Sequence, residues 1–213
     1  MTAILKSKKI LYSAIFLLII HTVGIVGLNS SFKDLFLLLT PLNLLISVAT
    51  IYLNQNELNS PLFIASCIIY LLGFTVELVG VKTGLLFGEY NYGNTLGFKL
   101  FDIPLIIGLN WLMLIFSVGC ILDSFHPSSI LKSIIGAFML VFLDFIIEPI
   151  AIKFDFWNWE NGIIPIQNYV VWFLFSMLFL LIFYNFQFNK NNLIAKLLYL
   201  IQVIFFALLT ILT

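Results

Sequence analysis

The sequence predicts an all-α, polytopic membrane protein, and two observations lead to this fold class. Hydrophobic residues make up 62% of the 213-residue chain and charged residues 9%, whereas a soluble domain is about 45–50% apolar and about 25% charged. The hydrophobic residues also form runs of about 20 residues, the length that a helix needs to cross a bilayer. Because lysines and acidic residues number ten each, the composition excludes a basic nucleic-acid-binding protein.

Seven such runs predict about seven transmembrane helices in one bundle. We interpret the first as a retained helix rather than a signal peptide, because it is long and lacks a small-residue cleavage site. We therefore expect residues 1–213 to form a single transmembrane helical domain. From hydropathy alone, the runs are Ile10–Leu28, Leu35–Leu53, Leu62–Val81, Ile103–Leu122, Ile130–Ile152, Ile166–Phe186 and Leu193–Leu212.

Two connectors, Lys82–Asp102 and Lys153–Pro165, are longer than the others and rich in Gly, Tyr and Trp. Connectors of this length are commonly functional. They follow the third and fifth helices, so both lie on the same membrane side in either orientation. With a cytoplasmic amino terminus, six lysines face the cytoplasm and four face outward, the direction of the positive-inside rule. We expect a multi-pass protein of the cytoplasmic membrane in this orientation.

Three carboxylates lie inside the hydrophobic runs: Glu77 in the third, and Asp144 and Glu148 in the fifth. Each ionised acid costs about 2.5–3.5 kcal/mol at the bilayer centre, so we expect all three to face the bundle interior. Asp144 and Glu148 are spaced i, i+4 and share one helical face. Such a pair can share a proton and act as general acid and base. Two structural alternatives stay open: Glu77 caps a helix or pairs with Lys82, and Glu148, before Pro149, simply lies near a helix end.

The two long connectors carry the features that favour an apolar binding site. Six of the twelve glycines lie between Gly80 and Gly108, which allows tight turns and close approach. Tyr90 and Tyr92 alternate as in a short extended segment, or belong to an interfacial belt. Trp157 and Trp159 are typical of interfacial anchors, and aromatic faces also stabilise a transient cation. A cavity with aromatic walls and buried acids suits an unsaturated hydrocarbon better than a polar solute.

Neither histidines nor cysteines point to a metal site. His21 and His126 have no helical pairing that would hold a metal or haem, so we expect a packed or solvated histidine at each. Cys67 and Cys120 both lie inside apolar runs, which argues against a disulfide framework and a zinc site. We expect no metal and no cofactor.

The connectors and the helices before them resemble the membrane-bound carotenoid biosynthesis protein family, whose characterised members hydrate gamma-carotene or bisanhydrobacterioruberin. The resemblance covers about residues 73–172. It is carried by two blocks in the family's order: Glu77-x-x-Gly80-x-x-x-Gly84-x-x-x-Gly88-x-Tyr90-x-Tyr92 followed by Leu96-Gly97, Pro104 and Trp111, and Asp144-x-x-x-Glu148-Pro149 followed by Trp157-x-Trp159, Ile164-Pro165-x-x-Asn168 and Trp172.

The resemblance implies a carotenoid hydratase that adds water to the terminal double bond of a linear carotenoid. It would act on a long-chain carotenoid and water in the lipid, beside other carotenoid-pathway enzymes. Asp144 and Glu148 would be the acid–base pair, and Glu77 would position water or share the proton. Substrate and water would be held by Tyr90, Tyr92, Asn110, Trp111, Trp157, Trp159 and Asn168.

Three other functions remain compatible with the residues. A carotenoid cyclase begins with the same protonation and differs in what captures the cation. A transporter could use the intramembrane acids as a proton relay, although secondary transporters commonly show a two-fold repeat that this chain lacks. A non-catalytic assembly subunit would tolerate loss of all three acids.

Overall fold

The computed structural model describes residues 2–125 and 127–213, so His126 lies outside the described residues. Most of these residues are helical, which confirms the predicted fold class. The described residues form eight α-helices: α1 (Thr2–Leu28), α2 (Lys33–Leu38), α3 (Thr40–Leu53), α4 (Ser60–Thr83), α5 (Ile106–Asp123), α6 (Ser129–Lys153), α7 (Ile166–Asn185) and α8 (Leu193–Leu212).

Six of these helices are long and apolar enough to span a membrane, rather than the predicted seven. The predicted span Leu35–Leu53 is divided at Leu39 into α2 and α3. Pro41 lies in the first turn of α3, where its missing N–H leaves no hydrogen bond unmade. The 14 residues of α3 rise about 21 Å, which is less than the roughly 30 Å of a hydrocarbon core.

Contacts at the two ends of the bundle show how the chain passes between them. At one end, Lys9 near the start of α1 donates to the carbonyl of Leu53 at the end of α3. At the other end, Pro41 at the start of α3 packs against Gly97 in the first long connector. The short α3 therefore still runs from one end of the bundle to the other, and the two long connectors lie together at the second end, as predicted.

The long connectors are joined by an antiparallel ladder that the all-α prediction did not include. Strand β1 (Tyr90–Tyr92) pairs with β4 (Trp157–Trp159), with Tyr90 opposite Trp159 and Tyr92 opposite Trp157. A separate, local hairpin pairs β2 (Lys99–Leu100) with β3 (Ile103–Pro104). A 3₁₀ turn, Glu160–Gly162, follows β4. The ladder covers the end of the bundle where α4 and α6 finish.

Helix α5 lies at the centre of the bundle. Of the residues in its apolar stretch, 78% are buried, whereas the other five long helices bury 17–39% of theirs. Trp111 of α5 is fully buried and stacks on Trp172 of α7 with ring centroids 4.1 Å apart. Gly73 of α4 makes this close packing possible, because a Cβ there would lie 2.6 Å from Cβ of Trp111. Large hydrophobic side chains cover the outer faces of the other helices, as expected for contact with lipid.

Candidate functional site

Glu77 lies on the inward face of α4 and is only 4% exposed. Tyr90 and Tyr92 both donate hydrogen bonds to its Oε2 atom, at 2.5 and 2.7 Å. Trp111 Nε1 donates to Oε1 at 2.9 Å. Burying a carboxyl group is costly unless its oxygens are hydrogen-bonded, and three donors meet that requirement here.

The structural alternative for Glu77 is wrong. Lys82 pairs with Asp102 at 2.5 Å on the exposed surface rather than with Glu77, and this hydrogen bond lowers the pKa of Asp102. Glu77 lies well inside α4, so it does not cap the helix. Helix α6 continues past Pro149 to Lys153, so Glu148 lies within the helix but near its end, as the other alternative expected.

The alternation of strand β1 explains why two tyrosines reach the same carboxylate. Residues i and i+2 of a strand point to the same face, so Tyr90 and Tyr92 are directed together toward Glu77. Burial, with the nearby charge of Glu77, raises the pKa of both phenols well above their usual value. Both hydroxyls therefore stay protonated at physiological pH and act as donors. The extended segment is confirmed for this pair.

Asp144 and Glu148 lie one turn apart on the inward face of α6, at 2% and 1% exposure. Asn168 of α7 bridges them, because its Nδ2 donates to Asp144 Oδ2 at 2.9 Å and to Glu148 Oε1 at 3.2 Å. The indole N–H groups of Trp157 and Trp159 donate to Glu148 Oε2 at 3.1 and 2.8 Å. The two tryptophans therefore hold an intramembrane acid in addition to any interfacial role.

The β1–β4 ladder brings the two carboxylate clusters together. Its register places each tyrosine that contacts Glu77 beside a tryptophan that contacts Glu148. The ring centroids of Tyr90 and Trp159 lie 5.0 Å apart, and those of Tyr92 and Trp157 lie 6.3 Å apart. Glu77 and Glu148 both line a small polar cavity of about 30 Å³ beneath the ladder. This volume exceeds the roughly 10–15 Å³ that one water molecule requires.

A second, larger cavity adjoins the polar one. It has a volume of about 440 Å³ and an almost entirely apolar lining from α1, α3, α5 and α8. Three residues line both cavities: Ile107, Asn110 and Trp157. No described residue hydrogen-bonds to the side-chain amide of Asn110, so this amide is available to a ligand or to water. The arrangement can hold the end of an apolar molecule against a pocket that contains two carboxyl groups.

The ten predicted site residues all lie around one end of the bundle, but not all of them line the polar cavity. Eight of them line the polar cavity: Glu77, Tyr90, Tyr92, Asn110, Glu148, Trp157, Trp159 and Asn168. Asp144 and Trp111 line neither cavity. Asp144 lies behind Asn168, and Trp111 supports Glu77 from the bundle interior.

Several residues of the large cavity were not found by the sequence analysis. Most are ordinary aliphatic and aromatic residues, which nothing in a hydrophobic run distinguishes from lipid-facing ones. Gln202 carried a usable signal, since a glutamine inside a membrane span is costly without a partner. It contacts His21, which is packed as expected. Among the described residues, no cluster of three or more His, Cys, Asp or Glu side chains is arranged to hold a metal ion.

The variants Tyr90→Phe and Tyr92→Phe would test the hydrogen bonds to Glu77. Each variant removes one donor, and hydrogen bonds to a charged group contribute about 1.5–3 kcal/mol. We expect each to slow any reaction carried out at this site by roughly tenfold, and the double variant to slow it further while the protein still folds. Initial rates in membranes measure the effect. Tyr70→Phe is the control, because it removes a tyrosine hydroxyl that donates to the backbone carbonyl of Leu105 rather than to Glu77. Equal rates in all four proteins would contradict the role given to the tyrosines.

Comparisons with known proteins bear on this site. The family described as "Carotenoid biosynthesis protein" matches residues 36–213, which include every element of the site. A bisanhydrobacterioruberin hydratase from Haloarcula japonica is 28% identical over 140 residues, covering 60% of this chain and 46% of that protein. The chain thus spans about half the length of this curated relative. No solved structure matches the chain.

Proposed function

The chain belongs to the carotenoid biosynthesis protein family, and from that membership we propose that it adds water across the terminal C=C bond of a linear carotenoid. One observation carries the proposal. A polar cavity with two carboxyl groups and room for water shares a wall with an apolar cavity of about 440 Å³. An apolar chain end and a water molecule can therefore meet beside an acid.

The reaction needs one proton donor, one water molecule and one proton acceptor. An acid donates its proton to the less substituted carbon of the terminal double bond, and the π electrons form the new C–H bond. The other carbon becomes a tertiary carbocation. Water attacks this carbon through an oxygen lone pair, and the resulting oxonium loses a proton to a carboxylate. The product is a tertiary alcohol, and the protein ends with as many protons as it began with.

Geometry distinguishes the roles of the three acids. Glu148 lines the polar cavity, whereas Asp144 does not, so we assign proton transfer to the substrate to Glu148. Asp144 is linked to it through Asn168 and shares a proton with it as a pair. Glu77 lines the same cavity and would orient the water or receive its proton. Trp111, behind Glu77, is a positioning residue rather than a substrate contact.

The aromatic wall fits a cationic intermediate. Trp157 lines both cavities, and we propose that its ring lies beside the cation as it forms. An aromatic face stabilises a cation by about 0.5–2 kcal/mol. The same feature would serve a cyclase, which also passes through a carbocation. The water-sized polar cavity and the unpaired amide of Asn110 favour hydration, because both suit a water molecule held beside the cation.

The proposal also includes the membrane in which the reaction takes place and the orientation of the chain in it. The six apolar helices make the chain a multi-pass membrane protein. We place it in the cytoplasmic membrane as a single domain with a cytoplasmic amino terminus, because six of the ten lysines would then face the cytoplasm. The carotenoid would reach the site from the lipid, where other enzymes of its pathway would supply it. The chemistry assigned to these residues uses neither a metal nor a cofactor.

Pigment analysis tests the proposal. The protein is expressed in bacteria that make lycopene or gamma-carotene, and pigments are separated by liquid chromatography with mass detection. We expect a more polar pigment heavier by one water, and none of it from Asp144→Asn, which retains the shape of the side chain. An isomer of unchanged mass would indicate cyclisation instead. Unaltered pigments with both substrates would contradict the proposed function.

A further inference from the structure

The large apolar cavity opens on one side of the bundle. Of the residues that line it, those exposed on the outer surface all lie on α1 or at the junction of α2 and α3, whereas the lining residues of α5, α6 and α8 are buried or half-buried. The cavity therefore opens sideways, between α1 and α3. We call this opening the α1–α3 slot, and its rim residues are Ile19, Val23, Leu39 and Leu42.

Contacts between the helices close the slot at both ends. At the end of the bundle away from the β1–β4 ladder, Asn54, just after α3, donates to Ser13 Oγ of α1 at 2.8 Å. At the ladder end, Phe36 of α2 packs against Gly27 of α1, because a Cβ at Gly27 would meet its ring. Between these two contacts, α1 and α3 face each other across the cavity.

The slot faces lipid rather than water. Its four rim residues are aliphatic, and outward-facing neighbours on both helices, such as Leu18 and Leu45, are apolar as well. Val23 and Leu42 are each 49% exposed, so each borders the cavity on one side and the outer surface on the other. A molecule that is dissolved in the bilayer meets only apolar side chains at these rims.

The cavity is too small to hold a whole carotenoid. An apolar cavity of roughly 150 Å³ holds one benzene ring, so a cavity of about 440 Å³ holds roughly eighteen carbon atoms at the same density. This is less than half of the carbon chain of a linear carotenoid. With one end of the chain beside Asn110 and Trp157, which line both cavities, the rest of the chain must leave the cavity through its opening.

We propose that the α1–α3 slot is the entrance through which one end of the carotenoid passes from the lipid, and that the unreacted part of the polyene stays in the slot while that end reacts. This inference rests on the proposed function and deepens it by naming the surface that binds the chain of the substrate. It makes Val23 and Leu42 substrate-binding residues, although neither lines the polar cavity.

Photochemical cross-linking tests the proposal. A diazirine amino acid replaces Val23 or Leu42; on irradiation it loses N₂, and the resulting carbene adds to a C=C bond of a neighbouring polyene. Val26 of α1 and Leu45 of α3 are the matched control positions, because both are exposed but line neither cavity. In purified protein incubated with lycopene in phospholipid vesicles, we expect severalfold more carotenoid adduct at the two rim positions than at the two controls.

A rate measurement tests whether the polyene stays in the slot during the reaction. Val23→Trp places a large ring on the rim, so we expect it to slow the hydration of lycopene by about tenfold, as overpacking of a filled site would. Val26→Trp should remain within about twofold of the wild type, because it changes only the outer surface. Leu42→Trp replaces Val23→Trp if that variant does not fold.

The two measurements distinguish failure of this inference from failure of the proposed function. Adducts concentrated at Val23 and Leu42 without any hydrated pigment would support the slot and contradict the hydratase. Equal carotenoid adducts at all four positions, or adducts of phospholipid alone, would overturn the inference whether or not pigment is hydrated. Equal rates for Val23→Trp and Val26→Trp would overturn the retention of the polyene in the slot.

Discussion

The Glu148→Gln variant is expected to form the hydrated product about 1,000-fold more slowly than the wild type. This factor lies within the 10²–10⁴-fold contribution of general acid–base catalysis. Glutamine keeps the shape of the side chain and can still accept from Trp157 and Trp159, the donors to Oε2. It has no acidic proton to give to the double bond. The loss is measured as the initial rate of product formation in membranes, at equal amounts of folded protein.

Glu160→Gln is the matched control for this variant. Glu160 lies just after β4 at the same end of the bundle, and it is exposed rather than buried. We expect its rate to remain within about twofold of wild type, because surface substitutions change little. If Glu148→Gln retained more than about a tenth of the wild-type rate, Glu148 would not be the proton donor. Glu77, the other acid that lines the polar cavity, would then take that role.

The Gly93→Ala variant is expected to lower the free energy of unfolding by about 3 kcal/mol, at the upper end for overpacking. A Cβ at this position would lie 2.0 Å from the backbone oxygen of Asp155. Gly93 also donates its N–H to the carbonyl of Phe156 at 3.0 Å, directly beyond the ladder. Because backbone cannot move aside as a side chain can, β1 and β4 must separate. Both carboxylate clusters would then lose donors at once.

Thermal unfolding in detergent and pigment conversion measure this effect together. We expect the apparent melting temperature and the yield of hydrated product to fall in the same variant. Gly162→Ala is the control, since a Cβ there meets nothing within 4 Å and only the positive φ of 67° is strained. It should cost about 1–2 kcal/mol without separating the strands. A Gly93→Ala protein with wild-type stability and activity would contradict the role of the ladder.

The candidate site could be predicted from the sequence as far as its acids, but not in its hydrogen bonds. Glu77, Asp144 and Glu148 were identifiable because charges are rare and costly inside apolar runs. The spacing of Asp144 and Glu148 also indicated their common face. The substrate contact of Trp111 stays a prediction, and its hydrogen bond to Glu77 was not anticipated. Indole N–H groups seek partners wherever they are buried, and the sequence does not say which partner is near.

The predicted helix boundaries were least accurate where a helix is interrupted. Hydropathy averages over about 20 residues, so it joined α2 and α3 into one span across Leu39. Pro41 was visible in the sequence, but a proline in the first turn of a helix and a proline inside a helix give the same hydropathy. The consequence is a short α3 that borders the large cavity with Thr40, Leu42 and Asn43.

The sequence by itself determined the membrane class, the common side of the two long connectors and the inward-facing acids. These follow from composition, from helix parity and from the cost of charge in lipid, which are properties of residues in chain order. Only the tertiary structure decided the pairing of Tyr90 with Trp159, the bridge of Asn168 and the two adjoining cavities. These three features arise from packing between residues that are distant in the chain. The shapes of several helices together determine which donors reach which carboxylate.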